Sequence, residues 1–237
     1  MAGQSAERQE SGLVDAVNTA VAQVQGPITV KSGDMTVKSV VKAEKFTGRS
    51  VANTEPYTDV VFTLANGKKK NISMKGSSAP SLAGGGLAGI ELVVPGIGRK
   101  FMEAALKHHK KTLKPGEKVP DLYAKLNDSD KMLLVIGNKK NGGPIDFMYI
   151  GPMDVKSSQK GDVLTVNGNI IDGKKYANTH DLYFRLRARR DDQTFDPTAK
   201  DREGIPNVYG KSPSRGDAKG RIVVTDKVPK ARGIITF

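Results

Sequence analysis

DVVFTLANGKKKNISMK, residues 59–75, sets a β-branched, apolar run against a second alternating run across an Asn66-Gly67 turn signal. The pattern predicts an antiparallel hairpin, because Asn-Gly accepts the positive φ values that a tight turn between strands requires. Asp59 stands seven residues before that turn and Lys75 eight after it. Both therefore fall at the same end of the ribbon. Hydrolysis of a phosphodiester needs a divalent cation on carboxylates, an activated water and a positive charge near the phosphate. Magnesium binds through as few as one or two protein carboxylates, so a hairpin end is a large enough scaffold. The plainer use of such a pair is a surface ion pair contributing under about 1 kcal/mol.

The sequence on either side of the hairpin supplies the rest of the fold. Upstream, SGLVDAVNTAVAQVQGP (11–27) carries Leu13, Val14, Val17, Val21 and Val24 at helical spacing, with Ser11 as the N-cap and Gly26-Pro27 as the stop. A strand is expected around 28–31. Beyond it, Val37, Val40 and Val41 fit either a strand or a helix face. Downstream, GSSAPSLAGGGLAG (76–89) suits a linker, a close packing surface or a loop hugging a ligand.

A helix is predicted over 97–112, with Phe101, Ala104 and Ala105 on one face and lysines at its C-terminal end, and a second helix in NDSDKMLLVIGN (127–138). Strand signals follow in IDFMYIG (145–151), in DVLTVNGNIID (162–172) with a turn at Asn167-Gly168, and in DLYFRLRARR (181–190). FDPTAKDREGIPNVYGKSPSRGDAKG (195–220) is poor in apolar residues and reads as a long polar loop leading to RIVVTDKV (221–228). The expectation is an α/β (α+β) fold with a central mixed β-sheet flanked by helices. Its segments are an N-terminal helical piece (1–27), a core (28–190) and a polar loop with a C-terminal strand or arm (191–237).

Composition narrows the chemistry. A chain of 237 residues with 38 Lys and Arg against 25 Asp and Glu carries +13, a field that favours polyanions, nucleic acid first and acidic membrane second. No apolar run approaches the roughly 18 to 20 residues that cross a bilayer, and MAGQSAERQE (1–10) lacks the apolar heart of a signal peptide. The expectation is a cytoplasmic protein without a membrane partner. The absence of Cys excludes disulfides and thiol nucleophiles. His108 and His109 read as a solvated helix end and His180 stands alone beside Asp181, so no Ser-His-Asp hydrolase is built on them. No phosphate-cradling G-x-x-x-x-G-K-[ST] loop is present.

A carboxylate after a Pro-containing turn, then a hairpin, then x-x-Lys, resembles the PD-(D/E)xK nuclease superfamily, which includes restriction, recombination and phage nucleases. The match runs from about Glu44 to Glu91, with Asp59 in PYTD standing for the superfamily's metal-binding Asp and Lys75 for its Lys. Ser73 occupies the place of the second carboxylate. Some restriction enzymes of the superfamily carry Ser-x-Lys and recruit a Glu from the next helix. The resemblance thus implies a restriction-endonuclease-like Mg2+-dependent deoxyribonuclease, with Asp59 and Glu91 as metal ligands and Lys75 as the third catalytic residue. Glu44 or Glu55 would serve as an additional ligand.

A DNA partner asks for a surface as well as a site. Extended, residues 181–190 place Tyr183, Arg185, Arg187 and Arg189 on one face and Phe184, Leu186 and Ala188 on the other. Arginines about 7 Å apart match the pitch of phosphates, while the plainer reading is a charged edge strand guarding against aggregation. Lys68, Lys69 and Lys70 add charge at the hairpin turn. Only 5% of residues are aromatic and none is Trp, which favours contact with a duplex backbone over base stacking. The rival expectation is a non-catalytic phage virion or assembly protein, in the host cytoplasm or the particle, whose basic surface meets nucleic acid or neighbouring subunits, with homo-oligomerisation left open.

Overall fold

The computed structural model describes residues 2–51, 55–77, 86–201, 204–214, 216, 220–229 and 233–237, with side chains omitted at 2–4, 220 and 221. These residues form a mixed α+β structure with two mixed sheets, of eight and four strands. The chain divides into two compact units, each built from two stretches: residues 1–80 with 135–179, and residues 81–134 with 180–237. This division does not follow the three consecutive segments expected from sequence, and two sheets stand where one was expected.

The first unit opens with α1 (Ala2–Val24), followed by β1 (Ile28–Ser32), β2 (Met35–Lys45), β3 (Val60–Leu64) and β4 (Lys69–Gly76). Helix α1 begins nine residues before Ser11, which lies inside it rather than capping it. Ala, Gln, Glu and Arg between residues 2 and 10 are good helix formers and carry the helix toward the N-terminus. It ends where Gln25 takes φ 55°, just ahead of Gly26-Pro27. The ambiguous segment after residue 31 is strand: Val37 and Val40 are buried beneath exposed lysines, and β2 pairs antiparallel with β1 and β3.

Strands β3 and β4 form the expected hairpin, in register Val60↔Ile72 through Thr63↔Lys69. Gly67 supplies φ 78° at the turn, a value β-branched residues avoid. The unit continues with β6 (Phe147–Gly151), β7 (Ser157–Lys160), β8 (Val163–Val166), β9 (Asn169–Asp172) and α5 (Gly173–Thr179). The sheet order is β7-β8-β1-β2-β3-β4-β6-β9, with β4 and β6 parallel. Asn167-Gly168 turns the chain as expected, yet the strands it joins pair elsewhere, β8 with β1 and β7, and β9 with β6. The sheet curls back on itself here: Ser32 Oγ donates to Gly168 O (3.0 Å) and accepts from Ile170 N (3.2 Å). Inside lie Val30, Val40, Phe62, Ile72, Tyr149 and Ile170, and Leu13, Val17 and Ala20 of α1 belong to the same core.

The second unit comprises α2 (Gly86–Val93), α3 (Ile97–Thr112), β5 (Leu122–Lys125), β10 (Tyr183–Ala188), β11 (Gly220–Thr225) and β12 (Ile234–Ile235), with most of α4 (Asp128–Ile136). Its sheet runs β11-β10-β5-β12. The arginine-bearing strand β10 therefore lies inside a sheet, hydrogen-bonded on both sides, and is not a guarded edge. Phe184 and Leu186 are fully buried, and the Phe184 ring stacks on Phe101 of α3 at 5.1 Å. The segment expected to be a polar loop is largely packed: Phe195 bridges to Tyr209, Lys200 bridges to Pro206, and Phe195, Ile205, Val208 and Tyr209 are buried. Widely spaced apolar residues hide this core from a composition count. Residues 78–85, which carry most of the glycine-rich ligand-loop expectation, lie outside the described residues. No helix among the described residues is long and apolar enough to cross a membrane.

Candidate active site

The hairpin determines the geometry around Asp59. Its N–H donates to Ile72 O (2.9 Å), continuing the ladder one residue before β3. Its carboxylate then folds across the ribbon end, where Oδ2 accepts from the backbone of Met74 (2.6 Å) and the hydroxyl of Ser73 (3.2 Å). Ser73 thus orients Asp59 from the position where a second carboxylate would stand. Burial raises the Asp59 carboxyl above the usual range, Lys75 and the two hydrogen bonds pull it down, and Glu55 pushes it up again. Lys75 is therefore near enough for its charge to be felt, while among the described residues no ion pair joins the two.

Two residues of α1 complete this corner, and neither is expected from sequence. Gln9 is buried, and its amide donates to Gly151 O (3.0 Å), Pro152 O (3.0 Å) and Lys75 O (3.4 Å). One side chain thereby ties the helix to the ends of β4 and β6. The next residue, Glu10, shares a cleft of about 440 Å³ with Phe46, Arg49, Glu55, Thr58 and Asp59. The Glu10 carboxyl is raised by burial first, then by Asp59, with Lys45 opposing and Glu55 and Glu7 adding to the rise. Glu10, Glu55 and Asp59 thus crowd negative charge into one partly desolvated space. Had the helix been read from residue 2, Gln9 would have stood out as a polar residue in line with Leu13, Val17 and Ala20 on the buried stripe.

Glu91 is held elsewhere. It lies on α2 in the second unit, where Oε2 accepts from Gly96 N (2.6 Å) and Oε1 from Arg99 N (3.0 Å). The carboxylate satisfies N–H groups at the start of α3 and complements its dipole. A Cβ on Gly98 would meet Leu87 Cδ1 and sit 2.8 Å from Oε1, so a larger residue there would push the ends of both side chains aside. Glu91→Gln is expected to lower stability by about 0.5 to 1 kcal/mol, read as a small fall in urea midpoint. Glu44 is drawn away from the cleft by Lys42 (2.7 Å) and Lys69 (3.5 Å). Among the described residues, no group of three His, Asp or Glu side chains stands in metal-holding geometry.

The expected basic residues divide by partner. Arg185 gives Nε (2.9 Å) and Nη2 (2.5 Å) to Asp121, so its planar fork is occupied inside the protein. Arg187 is half-buried on the same face, and Arg189 lies beyond the end of β10 and is exposed. Lys70 pairs with Asp146 (2.6 Å) and sits 5.7 Å from the Phe147 ring centre, Lys69 pairs with Glu44, and Lys68 is exposed at the turn. The arginines therefore do not form a uniform phosphate ladder.

His109 reverses its sequence reading. Instead of a solvated helix end it is completely buried, among Phe195 and His108, with neither ring nitrogen hydrogen-bonded. It occupies the same side of α3 as Phe101, Met102 and Ala105, a helical register that the neighbouring lysines obscure.

No family model, curated protein or solved structure matches this chain.

Proposed function

We propose that the first unit carries a Mg2+-dependent deoxyribonuclease site of the PD-(D/E)xK kind, with Asp59 and Glu10 as cation ligands and Lys75 as the basic catalytic residue. The observation that carries this reading is the gathering of Glu10, Glu55 and Asp59 in one cleft, with two of the carboxyls pushed up, beside the charge of Lys75. An all-oxygen donor set whose carboxyls are raised first by burial and then by neighbouring carboxylates fits a hard divalent cation, whose charge would offset both. Glu10 replaces Glu91 in this assignment because the Glu91 carboxylate is already bonded to the start of α3.

When bound, the cation would polarise the phosphodiester and make its water more acidic. Lys75 orients the attacking water and offsets charge developing on the phosphate oxygens. Ser73 and the Met74 N–H hold the Asp59 carboxylate in one rotamer, and Gln9 fixes Glu10 against the strand that bears Lys75. Glu55 stands exposed at the rim of the same cleft and adds negative charge beside Asp59 and Glu10. Such a protein acts where DNA lies, in the host cytoplasm or a virion.

A second reading, a non-catalytic virion or assembly protein, is favoured by the lack of a preformed three-residue metal group among the described residues. Supercoiled plasmid at low salt separates the two. Nicking with Mg2+ and none with chelator is expected of the nuclease, and retardation of the plasmid without nicking belongs to the rival.

A further inference from the structure

We infer that the outward face of α3 in the second unit is a docking surface for the phosphate backbone of duplex DNA. The helix divides cleanly: Ile97, Phe101, Met102, Ala105 and His109 are buried against the unit's own core. Lys100, Lys107, Lys110 and Lys111 are exposed on the opposite side, and Lys114 is exposed just past its end. At 100° per residue, Lys100, Lys107 and Lys111 fall within about 40° of one another and form a ridge along the axis. Glu103 is the lone acid on this face of the helix. Among the described residues none of the five lysines belongs to an ion pair.

A solvated helix ordinarily mixes signs, since like charges four residues apart oppose helix formation. Here Lys107 and Lys111 stand four apart on the helix, with no acid between them. The second unit as a whole has 22 Lys and Arg against 14 Asp and Glu, a net +8. A repulsive ridge on a rigid, well-anchored helix is a cost to folding that a polyanion relieves. The apolar face of α3 is used inside the unit, so the helix has nothing to insert into a bilayer. No aromatic residue lies on the lysine face, so the contact is with backbone phosphates and not with stacked bases.

The inference shares with the proposed function only the identity of the partner, and its test involves no cleavage. Fluorescence anisotropy of a labelled 30-bp duplex, in chelator, would compare the full chain with a Lys100→Gln/Lys107→Gln/Lys111→Gln variant. A charge-matched control is Lys156→Gln/Lys160→Gln/Lys174→Gln, three exposed lysines of the first unit. The α3 variant is expected to lose at least about 30-fold in affinity at 100 mM salt, with the salt slope reduced by about 2 to 3, and the control to change under about 3-fold. Equal losses in both variants, or no duplex binding by the full chain, would overturn the inference. So would loss of binding to phosphatidylserine vesicles with duplex binding intact. Binding that depends on α3 in a protein that never nicks plasmid keeps this inference and removes the nuclease.

Discussion

Asp59→Asn is expected to reduce Mg2+-dependent nicking by at least about 100-fold while making the protein more stable at neutral pH. The two effects share one cause. The folded protein raises the Asp59 carboxyl by burial, so the ionised form costs folding free energy at neutral pH. A carboxyl raised on folding contributes stability below its unfolded pKa and loses it as pH rises through the folded value. An amide removes that loss and keeps an oxygen to accept the Met74 N–H. A gain of about 1 kcal/mol, or about 2 to 4 °C in melting temperature at pH 8, is expected, with little gain at pH 4. Magnesium provides the second readout: at ten times its Kd it should stabilise the wild type by about 1.4 kcal/mol and leave Asp59→Asn unmoved. An unchanged nicking rate in this variant would remove Asp59 from the chemistry.

The second large effect lies in the other unit. Burial depresses the His109 imidazole from 6.5 to about 4, with His108 adding to the depression. A base lowered on folding contributes its stability above the unfolded pKa and loses it as pH falls from there to the folded value, since only the unfolded chain takes the proton. The window is therefore pH 6.5 down to about 4, and the loss about 2 to 3 kcal/mol. His109→Phe keeps an aromatic ring against Phe195 and removes two ring nitrogens that have no hydrogen-bond partner. Urea midpoints of this variant should stay nearly level across the window, where the wild type declines. Parallel declines would mean that the acid sensitivity comes from other groups.

The contrast between these residues shows what was legible in the sequence. Asp59 and Lys75 sit on a hairpin whose register follows from local pattern and an Asn-Gly turn, so their placement at one end of the ribbon is legible in residues 59–75 alone. Phe184 and Leu186 follow the same logic, because the alternation expected of a strand is the alternation seen in the burial of β10. Glu10 was not readable, since its place depends on Gln9 reaching carbonyls at residues 151 and 152, more than 140 positions away. Glu91 looked like a ligand because it follows the hairpin in sequence, yet a local task at the start of α3 occupies it. The Arg185 partner is hidden from the sequence for a related reason: Asp121 comes from the segment leading into β5, a neighbour only in the folded sheet. Alternation along one strand shows which way a side chain points and says nothing of the acid that meets it there.

The central claim, that the α1 carboxylate and not the α2 carboxylate serves the hairpin, is tested most directly by nicking of supercoiled plasmid across a Mg2+ titration by Glu10→Gln and Glu91→Gln side by side. The account predicts a loss of about 100-fold or more for Glu10→Gln and a rate within about twofold of wild type for Glu91→Gln. The reverse order, or equal and unimpaired rates in both variants, would contradict it.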